Sequence, residues 1–309
     1  MFSAVTVVTA VTSGIGFLLN SAVLYLVLSQ GRRRYHYLFA GVLAICAVWD
    51  LSIFLMMVRN KHVHEVEAIG YAMIPCGALP ALIYHFACCY LNQPRKWTTI
   101  IFWAFAILGI IAMLTGLAGR IDGVFHYPWG NIFRPDQKLQ VAFIASLPFW
   151  YLATLTACWL IYQAYHQEID PIARRHLLYI LASLIAISLA IVKVVVVLGV
   201  QHGFYLTFGM LFNDISAAII GVAIIKDRLF NITPIIKLGL IYSALAMLVI
   251  FVFSFSEHIL ASYVAERFGG HSEFLHAIAI AITIAVLMPV KRRVEHAVEV
   301  YFANKKLRF

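Results

Sequence analysis

The sequence contains little charge. Only 12% of its 309 residues are Asp, Glu, Lys or Arg, and 63% are hydrophobic, whereas soluble domains contain about 25% charged residues. A soluble protein of this length has too small an interior to bury so many apolar side chains. The composition therefore excludes an ordinary soluble enzyme and predicts a membrane protein.

Motifs that hold substrates or metals are also missing. The sequence has no Gly-rich phosphate loop, no Gly-x-Ser-x-Gly and no His-Glu-x-x-His. It has no Cys-x-x-Cys spacing either, and all five cysteines lie in apolar stretches, where we interpret them as small buried side chains: Cys46, Cys76, Cys88, Cys89 and Cys158. We expect a protein without catalytic residues, without a cofactor and without a metal centre.

Long apolar runs recur along the chain. Since a helix needs about 20 apolar residues to cross a bilayer, these runs predict an all-α transmembrane bundle of about nine spans. The run before Arg32 contains no basic residue, unlike a cleaved signal peptide, so we take it as the first span. The predicted spans are 4–29, 38–58, 69–92, 98–119, 140–165, 177–199, 205–225, 235–260 and 274–290.

Basic residues predict the orientation of this bundle. Short cytoplasmic loops retain Lys and Arg, and one set of alternate loops, together with the C-terminal tail, holds sixteen of them, against six in the opposite loops. The N-terminus is therefore expected outside and the C-terminus in the cytoplasm. The net charge of +9 is spread over these loops, so it indicates contact with anionic lipid headgroups rather than with nucleic acid.

Three charged residues fall inside predicted spans, where each costs about 2.5–3.5 kcal/mol to insert. Asp50, Lys193 and Asp214 all lie in the outer halves of their spans. The short join around His202 makes spans six and seven antiparallel neighbours, which brings Lys193 within reach of Asp214. Either this ion pair only locks two helices together, or Asp50, Lys193, Asn213 and Asp214 form the polar floor of an outward-facing pocket.

The outer side carries one sizeable loop, 120–139, with the aromatic run Phe125 to Asn131. Such a loop folds over the bundle as a lid, with Tyr127 and Trp129 near the ligand, binds a partner, or anchors the protein at the lipid headgroups. Pro75, Pro80 and Pro148 lie within spans, where proline kinks a helix and opens space beside it.

Histidines are frequent near the outer side, and His62 and His64 are the closest pair. Histidine titrates near neutral pH and binds metals, but no Cys or carboxylate spacing supports a site here, so these two are weak metal candidates. At the other end of the chain, 289–309 reads as an amphipathic helix, which pairs with a second copy, docks on a partner protein or lies in the lipid interface.

Short motifs in the sequence resemble those of one family. The stretch 226–232, with Arg228 and Phe230, follows the seventh span, and 288–295, with Pro289, Arg292 and Arg293, precedes the pair Tyr301 and Phe302. Together with Trp129-Gly130 and the entry to span six at 174–177, these resemble the membrane region of bacterial sensor histidine kinases with an N-terminal seven-helix domain.

The resemblance implies a receptor in the bacterial cytoplasmic (inner) membrane. It divides the chain into a seven-helix sensor-like domain (1–225), a transmembrane hairpin (226–290) and a cytoplasmic amphipathic helix (291–309). Its motif residues would relay the signal: Arg228, Phe230, Pro289, Arg292, Arg293, Tyr301 and Phe302. The sequence ends at Phe309 without a kinase motif, so the chain is either a sensor portion of a longer protein or acts with another polypeptide.

The interpretation is therefore a multi-pass sensory module that detects a stimulus outside or within the membrane and passes it to a cytoplasmic output or partner, as a homodimer or with another protein. An accessory or scaffold subunit of a larger membrane complex is the alternative. A small-solute or ion transporter also accommodates charges within the membrane, but the sequence shows no inverted repeat.

Overall fold

The computed structural model of the protein describes residues 4–30, 33–58, 63–93, 95–127, 129–193, 198–199 and 202–227. The helices are α1 (Ala4–Gln30), α2 (Arg34–Val58), α3 (Val63–Ala72), α4 (Leu79–Tyr90), α5 (Lys96–Leu114), α6 (Gln137–Gln167), α7 (Pro171–Ala190) and α8 (Phe204–Asp227), with 3-10 turns at Ile74–Ala78 and Ile191–Lys193. Two strands, β1 (Ile121–Tyr127) and β2 (Gly130–Pro135), form an antiparallel hairpin.

Within the described residues, seven helical segments are long and apolar enough to cross a membrane: Thr6–Ser29, Arg34–Val58, His64–Tyr90, Lys96–Leu114, Gln137–Gln167, Pro171–Ala190 and Phe204–Ile224. They confirm a polytopic helical bundle and coincide with the first seven predicted spans. The predicted spans 235–260 and 274–290 and the C-terminal amphipathic helix lie outside the described residues. The hairpin is an addition to the all-α architecture that the sequence did not predict.

Proline shapes the third span. α3 ends at Ala72, a 3-10 turn with Pro75 follows, and α4 begins at Leu79 with Pro80 in its first turn. Proline has no N–H to donate and clashes with the preceding turn of an α-helix, so the break falls at this pair. Pro148, by contrast, lies inside the continuous helix α6.

The helices differ in how much of their surface the protein buries. α1 packs against α2 and α8, α8 also packs against α7, and α4 lies between α2 and α6. Among the described elements, α5 packs mainly against α4 and the 3-10 turn, and it leaves large apolar side chains such as Trp97, Ile101 and Leu108 exposed. A helix with so much exposed apolar surface fits a lipid-facing position.

All five cysteines are free thiols, three of them buried and two partly buried. Their burial agrees with the interpretation of the cysteines as small packing side chains. Cys76 packs in the apolar cluster beneath the hairpin.

Candidate functional site

The β-hairpin covers one end of the bundle, which we call the hairpin side. In it, Val124 pairs with Phe133 and Phe125 with Ile132. Val124, Ile132 and Phe133 are buried in one cluster with apolar side chains of α1, α2, α3 and α8. The hairpin is therefore docked on the helices through an apolar face.

Trp129, in the hairpin turn, is buried against the bundle. Only 7% of its surface is exposed, its carbonyl oxygen accepts a hydrogen bond from the Thr6 hydroxyl of α1, and its ring stacks on Tyr127 with centroids 4.9 Å apart. Burial raises the pKa of the Tyr127 phenol, because the ionised form would lose its solvation. Of the three interpretations of this loop, this geometry fits a lid.

Gly70 of α3 is a point of close contact between hairpin and helices. A Cβ at this position would lie 2.7 Å from Ile121 Cδ1 and 2.7 Å from Phe133 Cγ, closer than real side chains approach. Only glycine leaves room for both strands to rest on the helix. The absence of a side chain on α3 therefore positions the hairpin.

A buried polar cluster lies deeper in the bundle and centres on Asp50 of α2, whose side chain is 0% exposed. Asn213 Nδ2 of α8 donates to both carboxylate oxygens, at 2.8 and 2.9 Å, and Asn20 Nδ2 of α1 donates to Oδ2 at 2.9 Å. A buried carboxylate is costly unless its oxygens are hydrogen-bonded, and two amides meet that requirement here. Asp50 thus ties three helices together.

Asp214 joins this cluster from the next position of α8. A Cβ on Gly16 of α1 would collide with Asp214 Oδ1 and lie 2.8 Å from Asp50 Oδ2. Both carboxyl groups therefore converge on the backbone of α1 at Gly16. This convergence gives the cluster a second acidic group within the membrane, where ionised side chains mark functional sites more often than elsewhere.

Hydroxyl pairs extend the polar contacts along α8. Thr9 of α1 and Thr207 are 2.7 Å apart between hydroxyl oxygens, and Ser183 of α7 and Ser216 are 2.8 Å apart. In lipid, such hydrogen bonds hold helices in register because water does not compete for them. α8 is therefore linked by polar side chains to α1, α2 and α7.

A cavity of about 120 Å³ lies beneath the hairpin, between α5, α6 and the 3-10 turn after α3. Its wall is almost entirely apolar and includes Met73, Ile110, Met113, Phe143 and Leu147. The break at Pro75 opens the helix on one side of this space, as the prolines of the sequence indicated. Small apolar cavities of this kind bind apolar molecules.

A smaller cavity lies next to this one. Its wall shares Trp49, Trp150 and Ile191 with the larger cavity and also includes Asn213, the partner of Asp50. The two tryptophans therefore line both cavities, and the smaller cavity borders the polar cluster.

The predicted ligand residues fall into three groups. Asp50, Asn213 and Asp214 are together in the polar cluster, while Tyr127 and Trp129 belong to the hairpin. The backbone of Lys193 ends the second 3-10 turn, but its side chain lies outside the described residues, as does the proposed ion pair with Asp214.

The predicted relay residues also lie outside the described residues: Arg228, Phe230, Pro289, Arg292, Arg293, Tyr301 and Phe302. The same holds for His62, one of the two weak metal candidates. His64 is exposed and lies 3.8 Å from a carboxylate oxygen of Glu67. Within the described part of the chain, no three His, Cys, Asp or Glu side chains are grouped to hold a metal ion.

Sequence reasoning missed Asn20, Gly16 and the apolar cavity. Asn20 is a polar side chain in the middle of an apolar span, and this signal was present in the sequence. Gly16 precedes it by one helical turn, on the same helix face, so the pair marks the face of α1 that meets α2 and α8.

A family model described as the N-terminal 7TM region of histidine kinase matches residues 8–234 of the chain. The match includes every helix from α2 to α8, the hairpin, both cavities and the polar cluster. No curated protein matches the chain.

Proposed function

The chain belongs to the family of N-terminal 7TM regions of histidine kinases and is a multi-pass membrane sensory module; we propose that it senses its stimulus at the hairpin side and relays it to a cytoplasmic output. The stimulus acts from the outer side or from within the membrane. The output is a cytoplasmic domain or partner protein, and the module works as a homodimer or with another membrane protein in the bacterial inner membrane.

The distribution of basic residues supports an orientation with the hairpin side outward. At the end opposite the hairpin, the described loops and helix ends carry Arg33, Arg34, Arg95, Lys96, Arg174 and Arg175, whereas the hairpin side carries Arg120, Arg134 and Lys138. Basic residues are retained in the cytoplasm. The hairpin accordingly faces outward, and α8 leads to the cytoplasmic side.

The burial of Trp129 in the bundle is the observation that carries the proposal. A docked hairpin has two discrete positions, closed on the helices or lifted from them, and a stimulus that favours one position shifts the population. Because the hairpin contacts α1 through Thr6 and α3 at Gly70, lifting it would also change the shape of the cavity beneath.

The polar cluster is the proposed link to the output. Asp50, Asn213 and Asp214, with Lys193 nearby in the chain, hold α8 against α1 and α2. A movement of α8 would reach the segment after it, where Arg228 and Phe230 begin the proposed relay that continues through Pro289, Arg292, Arg293, Tyr301 and Phe302. In this proposal the Asp50 group transmits the signal, while the hairpin and the cavity receive it.

A disulfide that locks the hairpin tests this proposal without a known stimulus. In a Gly70→Cys/Phe133→Cys variant of the full chain, the Phe133 ring that an added Cβ at position 70 would meet is removed. The two Cβ atoms would start about 3.0 Å apart, roughly 0.5 Å inside the usual disulfide range, so β2 must shift outward by about that distance. Hydrogen exchange in nanodiscs is compared between oxidised and reduced protein. We expect oxidation to slow exchange in the hairpin and also in residues 214–227, the second half of α8.

The matched control places a disulfide within the hairpin without joining it to the bundle. His126 and Asn131 are paired across the two strands, so His126→Cys/Asn131→Cys stiffens the hairpin alone and should leave α8 unchanged. If locking Gly70 to Phe133 changes exchange only in the hairpin and α3, the hairpin is a structural cap and the sensory proposal for this side is wrong.

A further inference from the structure

The larger cavity opens between α5 and α6. The backbones of these two helices, both described in full, make little contact; they meet through aromatic rings, with Phe149 of α6 stacked on Phe105 at 4.0 Å and 5.3 Å from Phe102. The cavity residues Ile110 and Met113 of α5 lie one to two turns beyond this contact, toward the hairpin. The gap between α5 and α6 therefore lies between the aromatic contact and the hairpin.

This opening faces lipid rather than water. α5 exposes Ile107, Leu108 and Ile111 on its outer surface, which is the apolar surface expected of a helix in contact with acyl chains. The hairpin covers the cavity from the aqueous side through Ile121 and Phe133, both of which line it. A ligand would therefore enter sideways from the bilayer.

One cation lies at the rim of the cavity. Arg120, at the junction of α5 and the hairpin, lines the cavity and is exposed. The nearby carboxylate of Asp136 accepts hydrogen bonds from the backbone N–H groups of Arg120 and Leu139, and Asp122 pairs with Arg134. In the described part of the chain, the Arg120 guanidinium has no ion-pair partner, and the cavity wall contains no acidic residue.

We propose that this cavity binds a single-chain amphiphile with an acidic headgroup, such as a long-chain carboxylic acid, with the chain between α5 and α6 and the acid on Arg120. The inference rests on the proposed sensory function and names its ligand class. The apolar wall suits an alkyl chain, and guanidinium is the preferred partner of a carboxylate. A volume of about 120 Å³, slightly below the roughly 150 Å³ that holds benzene, accommodates part of one chain rather than two.

Fluorescence quenching tests the site directly, because Trp49 and Trp150 line the cavity. The full chain, in nanodiscs of uncharged phosphatidylcholine, is titrated with a dibrominated long-chain carboxylic acid, which quenches nearby tryptophan. We expect saturable quenching in wild-type protein. The methyl ester, which keeps the chain and lacks the charge, should bind about tenfold more weakly.

Two variants test separately the binding of the ligand's alkyl chain and the binding of its acidic headgroup. Gly109 lines the cavity, and a Cβ added to it would have no atom within 4 Å. We therefore expect the larger side chain of Gly109→Leu to occupy the cavity and abolish saturable quenching. Arg120→Gln should weaken binding of the acid about tenfold and leave the ester unchanged. The matched controls are Ala104→Leu, on the exposed surface of α5, and Lys138→Gln, an exposed cation of the hairpin side; both should bind as wild type does.

Each contrary result overturns a defined part of the proposal. Saturable quenching that survives Gly109→Leu places the ligand outside the cavity, and equal binding of acid and ester removes the role of Arg120. Absence of saturation in wild-type protein removes the site altogether. Saturable quenching by a brominated two-chain anionic phospholipid, without competition from the free acid, shows that a membrane lipid is the occupant.

Binding and sensing are tested separately. The quenching experiment does not require the hairpin to move, and the hydrogen-exchange experiment on the locked hairpin does not require a ligand. Saturable acid binding with no effect of hairpin locking on α8 would keep this site and refute the sensory role of the hairpin. If locking the hairpin changes exchange in α8 but the acid does not bind, the sensory role of the hairpin is kept and the ligand site is refuted.

Discussion

Asp50 shows how a carboxyl group is accommodated deep in an apolar bundle. Asn20 and Asn213 reach it from two different helices, so its burial depends on the correct packing of α1, α2 and α8 at once. A group that is satisfied only when three helices meet favours one arrangement over its competitors. This dependence suits a module whose output depends on helix position.

The first prediction concerns Gly16, where α1 approaches the two carboxyl groups. Gly16→Ala adds a methyl group that would collide with Asp214 and press on Asp50, so we expect α1 to move outward and the protein to lose about 1–3 kcal/mol of stability. Thermal unfolding in detergent measures this change. Gly109→Ala is the matched control, because its methyl group enters open space and should leave the melting temperature unchanged or slightly higher. An unchanged melting temperature for Gly16→Ala would contradict the close contact.

At this scale the sequence predicted part of the cluster. Asp50, Asn213 and Asp214 were recognisable because charged and amide side chains are costly in apolar spans. Gly16 and Asn20 were not recognised, since α1 is an apolar helix without a charged residue that would indicate which face meets its neighbours. That information depends on packing between residues distant in sequence, such as Asn213 and Asp50.

At the scale of elements, the hairpin is the feature that helical periodicity cannot predict. Its strands are short, and their pairing depends on two external contacts: Phe133 rests on Gly70, and Trp129 is fixed by Thr6. The aromatic composition of the loop predicted only that it would contact an apolar environment. By contrast, the break between α3 and α4 follows from Pro75 and Pro80, whose backbone chemistry is local.

The second prediction concerns Asp136, which joins the hairpin to α6. Its Oδ1 caps the helix by accepting the Leu139 N–H at 2.7 Å, and its Oδ2 accepts the Arg120 N–H at 2.9 Å. The hydrogen bond from Leu139 is the main cause that holds the pKa of the Asp136 carboxyl below its usual value of 3.8. A carboxyl with a lowered pKa in the folded state stabilises the protein above its unfolded pKa, and this contribution is lost as the pH falls through the folded pKa.

Hydrogen exchange at the start of α6 measures this effect, compared between neutral pH and about pH 2, below the range of about 2.3–4.7 in which most protein aspartates titrate. After correction for the intrinsic pH dependence of exchange, we expect protection of the first turn to fall on acidification in wild-type protein. Asp136→Asn retains a capping oxygen but no charge, so its protection should be lower at neutral pH and change little with acid. Asp170→Asn, which alters the cap of α7, is the control and should leave this turn unaffected. Equal acid sensitivity of wild type and Asp136→Asn would show that the cap is not responsible.

At the scale of the whole molecule, hydropathy was sufficient to predict the seven spans that lie in the described residues, with ends that differ by up to nine residues, as at 177–199 against Pro171–Ala190. The seven segments of the described residues agree with the first seven predicted ones, because the bilayer requires each to be long and apolar regardless of its neighbours. Hydropathy could not predict which helices pack together, since every helix is apolar around most of its surface. The position of the cavity could not be predicted for the same reason, because it depends on how α5 packs against α4 and the 3-10 turn.

The third prediction concerns the orientation of the whole bundle in the membrane. An odd number of spans from α1 to α8 puts the N-terminus and the end of α8 on opposite sides, and the excess of basic residues opposite the hairpin predicts that this side is cytoplasmic. Single cysteines at His126 of the hairpin and at Arg34 test this directly. A membrane-impermeant maleimide should label His126→Cys in intact cells, and Arg34→Cys only after permeabilisation. The native cysteines are buried or partly buried in the bundle, so the unmutated protein gives the background.

Lys306→Cys extends the labelling test to the C-terminal segment. The nine-span prediction places Lys306 on the same side as Arg34, because two further spans after α8 return the chain to the cytoplasm. We therefore expect Lys306→Cys to react only after permeabilisation, as Arg34→Cys does. Labelling of Lys306→Cys in intact cells, with Arg34→Cys protected, would require an even total number of spans and would put the C-terminus on the hairpin side. In that case the proposed relay through Arg292 and Arg293 could not reach a cytoplasmic output.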